Sequence, residues 1–263
     1  QIQGAIIRNS NLPEELGRIH FLFTDKTGTL TRNEMDFKKM QFDNVVLNEE
    51  STDPPHPMSL LSLSLCHCVN VTENGFQASS PDEIALVKHA AKIGYTLVAR
   101  SDEYIDILFS DDNRQKFANE LNLPITSFSP SGVERFDILA TLPFSSVWSH
   151  MGIVLRNKNF GSFVVVKGSD ASISQMCPTS EWLDEVVGNL ARELRTLVFA
   201  YKSLKDEEIG PFLKSFQEAS SSIVNRSGNI LHSFRQICTN MELLGVTGVE
   251  DKLQENVPET LEA

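Results

Sequence analysis

The sequence DKTGTLT at residues 25–31 combines a carboxylate, a cation, hydroxyl groups and a glycine within seven positions. It follows the apolar run IHFLFT at residues 19–24, whose length and aromatic content predict a buried strand of a parallel sheet. Open α/β sheets hold their reacting groups just beyond the carboxyl ends of the strands. Asp25 is therefore predicted to lie at such an edge.

Asp25 has the chemistry of a nucleophile for phosphoryl transfer. A carboxylate at a strand end can attack a phosphoryl group while backbone N–H groups and a Mg²⁺ ion offset the anionic charge. Lys26 would place a cation beside the phosphate, and Gly28 lets the backbone approach it closely. Thr29 can donate a hydroxyl hydrogen bond to a phosphate oxygen. The stretch is therefore predicted to accept phosphate on Asp25.

Thr27 decides how long that phosphate would last. A phosphatase built on the same plan would carry a second Asp two positions after the nucleophile, as general acid and base. Thr27 occupies that position here. Without the second carboxylate water is poorly activated, so the acyl phosphate is expected to persist. Persistence suits a pump, which must change shape while it is phosphorylated.

The seven residues resemble the phosphorylation signature of P-type ATPases, and a match of this length is far more specific than a short glycine pattern. A strand and turn without chemistry is the alternative. The resemblance implies ATP as the donor, held at its phosphate end by Asp25, Lys26 and Thr27, with Mg²⁺ bound by Asp25 and Thr27. It also implies an α/β, HAD-like phosphorylation domain. That domain is interrupted by a large α+β nucleotide-binding domain, built on an antiparallel sheet flanked by helices.

Four later segments are similar to the family's nucleotide-binding domain and occur in the same order. The resemblance implies that Glu83, in SPDE, faces the adenine amino group and that Phe144, in LPFS, stacks on the base. It implies that Lys167, in KGSD, lies deep in the adenine pocket. Arg195, in LRTL, would then reach the nucleotide phosphates.

Each of these four residues also has a purely structural interpretation. Glu83 stands at the third position of a helix that Ser80 would cap, where a glutamate stabilises the helix by about 1 kcal/mol. Phe144 could be a core residue, and Lys167 or Arg195 a solvated charge at a strand end. The joint presence of the four segments favours the nucleotide interpretation.

The chain departs from the family's pattern at Ser149. The family usually has a lysine five positions after the stacking aromatic, whereas Ser149 follows Phe144 at that distance here. The loss of one cation near the base would weaken binding by about tenfold. Trp148 or His150 could compensate.

The organisation predicted for the chain is a domain with a long insertion. Residues 1–35 form a linker and the first strand of the phosphorylation domain, residues 36–240 the nucleotide-binding domain, and residues 241–263 the truncated return segment. Within the insertion, the patterns predict a helix from Pro81 to about Ile93, an antiparallel meander over residues 135–167, and helices over 181–194 and 207–224. Residues 111–113 are predicted to form an exposed loop.

Composition excludes several classes of function. The 263 residues carry a formal charge of -12, so a nucleic-acid partner is not expected. Four cysteines are too few for a disulfide framework, which favours reduced thiols and a cytosolic setting. The tripeptide Cys66-His67-Cys68 invites a metal interpretation, but adjacent ligands on a helix diverge, and core packing is favoured.

The segments PEELGRI at 13–19, SPDE at 80–83 and LGVTGVEDKLQ at 244–254 resemble type IV P-type ATPases, which translocate phospholipids. The resemblance implies the cytosolic portion of a multi-pass membrane protein, with a phospholipid substrate and a possible accessory subunit. An ion-transporting ATPase, a phosphatase of the same superfamily and a non-catalytic nucleotide-binding module are the alternatives. The family's TGD and GDGxND segments are not in this chain, so nucleotide binding without turnover is expected of it.

Overall fold

Eleven strands and eight helices account for most of residues 17–51 and 54–262, which are the residues that the computed structural model describes. The strands are β1 (Thr31–Phe42), β2 (Val45–Asn48), β3 (Asn70–Thr72), β4 (Gly75–Gln77), β5 (Tyr95–Arg100), β6 (Tyr104–Phe109), β7 (Val133–Ser145), β8 (His150–Asn157), β9 (Gly161–Gly168), β10 (Arg195–Leu204) and β11 (Glu242–Leu253).

The helices are α1 (Met58–Leu61), α2 (Pro81–Lys92), α3 (Asp111–Glu120), α4 (Asp170–Ile173), α5 (Glu181–Leu190), α6 (Asp206–Ser221), α7 (Arg226–Ile237) and α8 (Val257–Glu262). The chain divides into two units. Among the described residues, one unit comprises residues 17–33 and 252–262, and the other comprises residues 34–51 and 54–251.

The second unit is built on a nine-stranded sheet in the order β2-β1-β11-β10-β9-β8-β7-β6-β5. All pairings from β5 through β11 along this order are antiparallel. The strands β3 and β4 form a separate antiparallel hairpin. The mixed α/β class and the antiparallel sheet flanked by helices, which the sequence predicted, are thus confirmed. The HAD-like character of the remainder stays a prediction.

Helices cover both faces of the sheet, so its central strands are buried on both sides. Alternate residues of β9 contribute to different cores, with Phe163 and Val165 in the core that α2 covers and Val164 and Val166 in the core packed by α5, α6 and α7. All four side chains are fully buried. This double burial explains why β8 and β9 read as continuous apolar runs rather than alternating ones.

Two local predictions agree closely with the structure. The meander predicted over residues 135–167 is β7, β8 and β9, each paired antiparallel with the next. The predicted helix at residue 81 is α2, with Pro81 in its first turn. Gly94 follows this helix with a φ of 93°, a left-handed conformation that glycine adopts without strain.

Two other predictions were wrong. Residues 19–24 form no strand, and the side chains of Phe21 and Phe23 are exposed, because no strand among the described residues pairs with this run. Residues 111–113 are the first turn of α3 rather than a loop. The hydroxyl of Ser110 caps this helix by accepting a hydrogen bond from the N–H of Asn113 at 3.3 Å.

The domain boundaries predicted after residues 35 and 240 stay predictions, and the two units describe the packing of the chain alone. The return segment predicted from residue 241 includes β11, and most of β11 lies in the second unit. The roles assigned to these domains stay predictions. None of the helices among the described residues is both long and apolar enough to cross a membrane.

Two glycines provide a matched test of this packing. An added Cβ at Gly245 would lie 2.9 Å from the carbonyl oxygen of Gln41, at a φ of 134°, whereas nothing lies within 4 Å of a Cβ added at Gly188 in α5. We expect Gly245→Ala to lower the free energy of unfolding by about 1–3 kcal/mol. Gly188→Ala should raise it by up to about 1 kcal/mol because alanine favours the helix. Urea denaturation of both variants measures these changes. Equal effects would contradict the close packing of Gly245 against the backbone of Gln41.

Candidate functional site

The loop after Asp25 is a tight turn in the first unit. Residues 26–30 close it through a hydrogen bond from the N–H of Thr31 to the carbonyl of Lys26, and Gly28 adopts a φ of 79°. The N–H of Gly28 donates to the hydroxyl of Thr31 at 3.2 Å. The N–H of Gln254 donates to the carbonyl of Leu30 at 2.9 Å. The return segment thus fastens the end of the turn.

The side chains predicted to handle phosphate in this loop are exposed. Asp25, Lys26, Thr27 and Thr29 all lie at the surface. Asp25 has an extended backbone, and no side chain or N–H among the described residues donates a hydrogen bond to its carboxylate. A carboxylate with this exposure is accessible to an incoming phosphoryl group and to a hydrated cation.

Three of the four residues predicted to contact the nucleotide lie at the same end of their strands in the large sheet. This end of the strands is called the edge below. Phe144 lies near the end of β7, Lys167 near the end of β9 and Arg195 at the start of β10. Antiparallel pairing brings the end of each strand beside the start of the next. Gly168 accordingly pairs with His150 on one side and with Val198 on the other. The antiparallel meander thus places these strand ends side by side.

A buried ion pair lies at this edge. The Nζ of Lys167 is 2.6 Å from the Oε1 of Glu83, and their side chains are only 6% and 9% exposed. The other carboxylate oxygen, Oε2, accepts the N–H of Cys68 at 2.8 Å. Glu83 therefore joins α2 to β9 and to the segment before β3. The capping interpretation is not supported, because the side chain of Ser80 makes no cap hydrogen bond.

His67 lies beside this ion pair as a neutral core residue. Its Nε2–H donates to the carbonyl of Ser64 at 2.8 Å, and its Nδ1 accepts the N–H of Val69 at 3.0 Å. Burial, with the nearby charges of Arg100 and Lys167, holds the pKa of His67 well below its usual value. Both ring nitrogens are occupied, so the arrangement is that of core packing.

Arg195 forms a second ion pair at the rim of the same edge. Its Nη2 is 3.2 Å from the Oδ2 of Asp82, the neighbour of Glu83, and about half of its side chain is exposed. Burial raises the pKa of Asp82, while the charges of Arg195 and Lys167 act in the opposite direction. The Oδ1 of Asp82 is buried without a hydrogen-bond partner among the described residues. One oxygen of the Asp82 carboxylate thus lacks a hydrogen bond in the described part of the chain.

Phe144 is separate from these pairs. Its side chain is 63% exposed and lines a cavity of about 500 Å³ with Phe216 of α6 and Ile230 of α7. No hydrogen bond, ion pair or ring contact joins Phe144 to Glu83 or Lys167 in the described part of the chain. The structure therefore brings Glu83 to Lys167 and Arg195 to Asp82, and it places Phe144 beside a different group of residues.

Ser149, which stands where the family usually has lysine, forms part of a tight loop. Its φ is 54°, its carbonyl accepts the N–H of Ser169 at 2.9 Å, and its hydroxyl donates to Ser146. The indole N–H of Trp148 donates to the carbonyl of Pro143 at 3.2 Å. The loop is thus held by its own hydrogen bonds.

Sequence reasoning did not identify Asp82 as a partner of Arg195. The two residues are 113 positions apart by number, and only the docking of α2 on the sheet brings them together. The available signal was local, since Asp82 immediately precedes Glu83 in SPDE. Across the residues that the structure describes, no cluster of three or more His, Cys, Asp or Glu side chains could hold a metal ion.

Comparison with curated proteins finds relatives that cover nearly the whole chain. The chain is 37% identical over 289 aligned residues to phospholipid-transporting ATPase neo1 of Schizosaccharomyces pombe. It is 35% identical to probable phospholipid-transporting ATPase tat-5 of Caenorhabditis elegans and 33% identical to phospholipid-transporting ATPase NEO1 of Saccharomyces cerevisiae. Each match covers 99% of the chain and 24–26% of the relative. The chain thus spans about a quarter of the length of these relatives. No family model matches it.

The buried ion pair leads to a prediction about stability. Lys167→Met leaves the carboxylate of Glu83 buried without its ion-pair partner, so we expect it to lower the free energy of unfolding by about 3–5 kcal/mol. Adding Glu83→Gln should restore part of this loss, because no unpaired charge remains and the amide oxygen can still accept from Cys68. Lys92→Met, in the exposed pair with Glu49, is the control and should change stability by less than about 1 kcal/mol. Chemical denaturation measures all three, and equal losses for Lys167→Met and Lys92→Met would contradict the assignment.

Proposed function

Because the chain belongs to the type IV P-type ATPases, we propose that it is the ATP-handling part of an enzyme that translocates phospholipids. In this proposal the second unit binds the nucleotide, and Asp25 in the first unit receives the phosphate. Its relatives carry the name of phospholipid-transporting ATPases over an alignment that spans 99% of this chain. The chain would act as the cytosolic portion of a membrane protein.

The observation that supports nucleotide binding most strongly is the pair of cations at one sheet edge of an acidic chain. Lys167 is buried and fixed by Glu83, whereas Arg195 is half exposed at the rim. The formal charge of the chain is -12, so an anionic ligand must be held by local cations. Lys167 would recognise the base together with Glu83, and Arg195 would contact the phosphates.

Arg195 would have to change partners when nucleotide binds. Asp82 holds the guanidinium at 3.2 Å in the structure, and a phosphate group offers the same guanidinium a bidentate, charge-assisted partner. The Oδ1 of Asp82 already has no partner in the described part of the chain, so the ion pair is not fully satisfied. The exchange would occur at the rim, where Arg195 is exposed enough to reach solvent.

In the first unit, Asp25 would attack the γ-phosphorus of ATP. A bond forms between a carboxylate oxygen and phosphorus, the bond to the bridging oxygen breaks, and ADP leaves with that oxygen. The oxygen atoms of Asp25 and Thr27 suit Mg²⁺, which would offset the charge of the transferring group; water can supply further ligands. Lys26 and Thr29 would contact the phosphate oxygens.

The alternatives are less well supported. A phosphatase would need an acid and base two positions after Asp25, where the chain has Thr27. An ion pump would not account for relatives that are named phospholipid-transporting. We propose a phospholipid as the substrate of the whole protein. The chain alone is expected to bind nucleotide without steady turnover.

Replacement of the nucleophile tests the chemical step. In the full-length parent protein, Asp25→Asn should abolish the acid-stable phosphorylated species formed from γ-labelled ATP, because the amide cannot act as the nucleophile. Asp43→Asn is a matched control. Asp43 is exposed at a φ of 50°, a conformation that Asn tolerates well. Undiminished labelling of the Asp25→Asn protein would refute the assignment.

Calorimetric titration of ATP into the chain tests the base contact. Removing the ring in Phe144→Ala should weaken binding by roughly tenfold, because stacking on a base contributes about 1–3 kcal/mol. Ile223→Ala, at another exposed apolar side chain, should leave the affinity unchanged. If the unaltered chain and Phe144→Ala bind ATP equally well, Phe144 does not stack on the base.

A further inference from the structure

A second cavity lies on the face of the sheet opposite to α2. Its volume is about 460 Å³, which is within the range of small-molecule sites. The loop before β8 forms one wall, α4 a second, and the last turns of α7 a third. Glu83, Lys167 and Arg195 do not line it. The cavity is therefore separate from Glu83, Lys167 and Arg195, and it adjoins the cavity of Phe144, with which it shares Val147 and Trp148.

The charge of this cavity is unusual for the chain. Its lining, as far as the described residues form it, contains Arg235 but no Asp or Glu, although the chain has 35 acidic and 23 basic residues. Arg235 is exposed, and no hydrogen bond or ion pair joins it to any residue that the structure describes. Its charge acts on His150, whose pKa is lowered by burial in the first place and by Arg235 in addition. An uncompensated guanidinium thus lies on the cavity wall.

A buried histidine in the cavity wall has a nitrogen to spare. The hydroxyl of Ser172 donates to the carbonyl of Trp148 at 2.8 Å. The Nδ1 of His150 lies 2.8 Å from the same carbonyl and 2.6 Å from that hydroxyl oxygen. Two acceptors surround Nδ1, so Nδ1 must carry the proton. The Nε2 is then an acceptor, and it makes no hydrogen bond with any described residue.

The guanidinium of Arg235 favours a ligand with a negatively charged oxygen, and the Nε2 of His150 favours one with a hydroxyl donor. A singly protonated phosphate group has this combination, because its anionic oxygens accept from Arg235 and its P–OH donates to Nε2 of His150. Apolar side chains of Met176 and Leu231 line the rest of the cavity. We propose that this cavity binds a small, water-soluble phosphate monoester through Arg235 and His150.

Trp148 gives this site a direct optical signal. It lines the cavity, and Trp182 is the second of the two tryptophans in the chain. In a Trp182→Phe background all tryptophan fluorescence comes from Trp148. The probe is glycerol 3-phosphate, and circular dichroism verifies that each variant is folded.

We expect a saturable change in Trp148 fluorescence as glycerol 3-phosphate is added. Arg235→Ala should weaken the apparent affinity at least tenfold, and Arg235→Lys should retain part of it because the charge remains. Arg226→Ala is the matched control, since Arg226 lies on the same helix but lines the neighbouring cavity of Phe144. This control should leave the affinity unchanged.

Three results would overturn the proposal. One is the absence of saturation, or the same response to an equal concentration of chloride. Another is an affinity that falls in Arg195→Ala but not in Arg235→Ala, which would place the probe at the nucleotide edge. The third is a response to vesicles containing phosphatidic acid but not to glycerol 3-phosphate, which would make a lipid headgroup the ligand. None of these results would refute ATP binding, so the two proposals fail separately.

Discussion

The buried ion pair between Glu83 and Lys167 is the constraint on which the edge of the sheet depends. Two charges are removed from water there, and their attraction offsets this loss only if the geometry is tight and the remaining hydrogen bonds are made. The second oxygen of Glu83 meets this condition through the N–H of Cys68. The pair therefore admits few positions of α2 on the sheet, and the place of Asp82 beside Arg195 follows from it.

The same edge combines a rigid group with a movable one. Lys167 is held between neighbouring strands and cannot change partner without exposing a buried carboxylate. Arg195 is at the rim and half exposed. A ligand that needs one fixed polar contact and one adaptable contact for its charged end is well matched by this division, since fixed polar groups need no reorganisation on binding.

Local patterns predicted the parts of the fold that short-range forces decide. The meander predicted over residues 135–167 corresponds to β7, β8 and β9, and the helix predicted from Pro81 to about Ile93 corresponds to α2. The strand predicted at residues 19–24 failed, because a strand requires partners that sequence pattern does not reveal. Among the candidate site residues, Glu83 and Lys167 were identified from the resemblance to the family. Their mutual contact was not predicted, because it joins positions 84 apart and depends on tertiary packing.

The chain enters and leaves the second unit on neighbouring strands. β1 and β11 lie side by side, and Lys38 of β1 is 3.0 Å from Glu250 of β11 in an ion pair. The entropy lost in closing a loop depends on how far apart its ends must be held and on the freedom of the chain between them. A folded insertion with adjoining ends therefore adds no more loop-closure entropy to the unit that contains it than a short connection would, whatever the number of residues in the insertion.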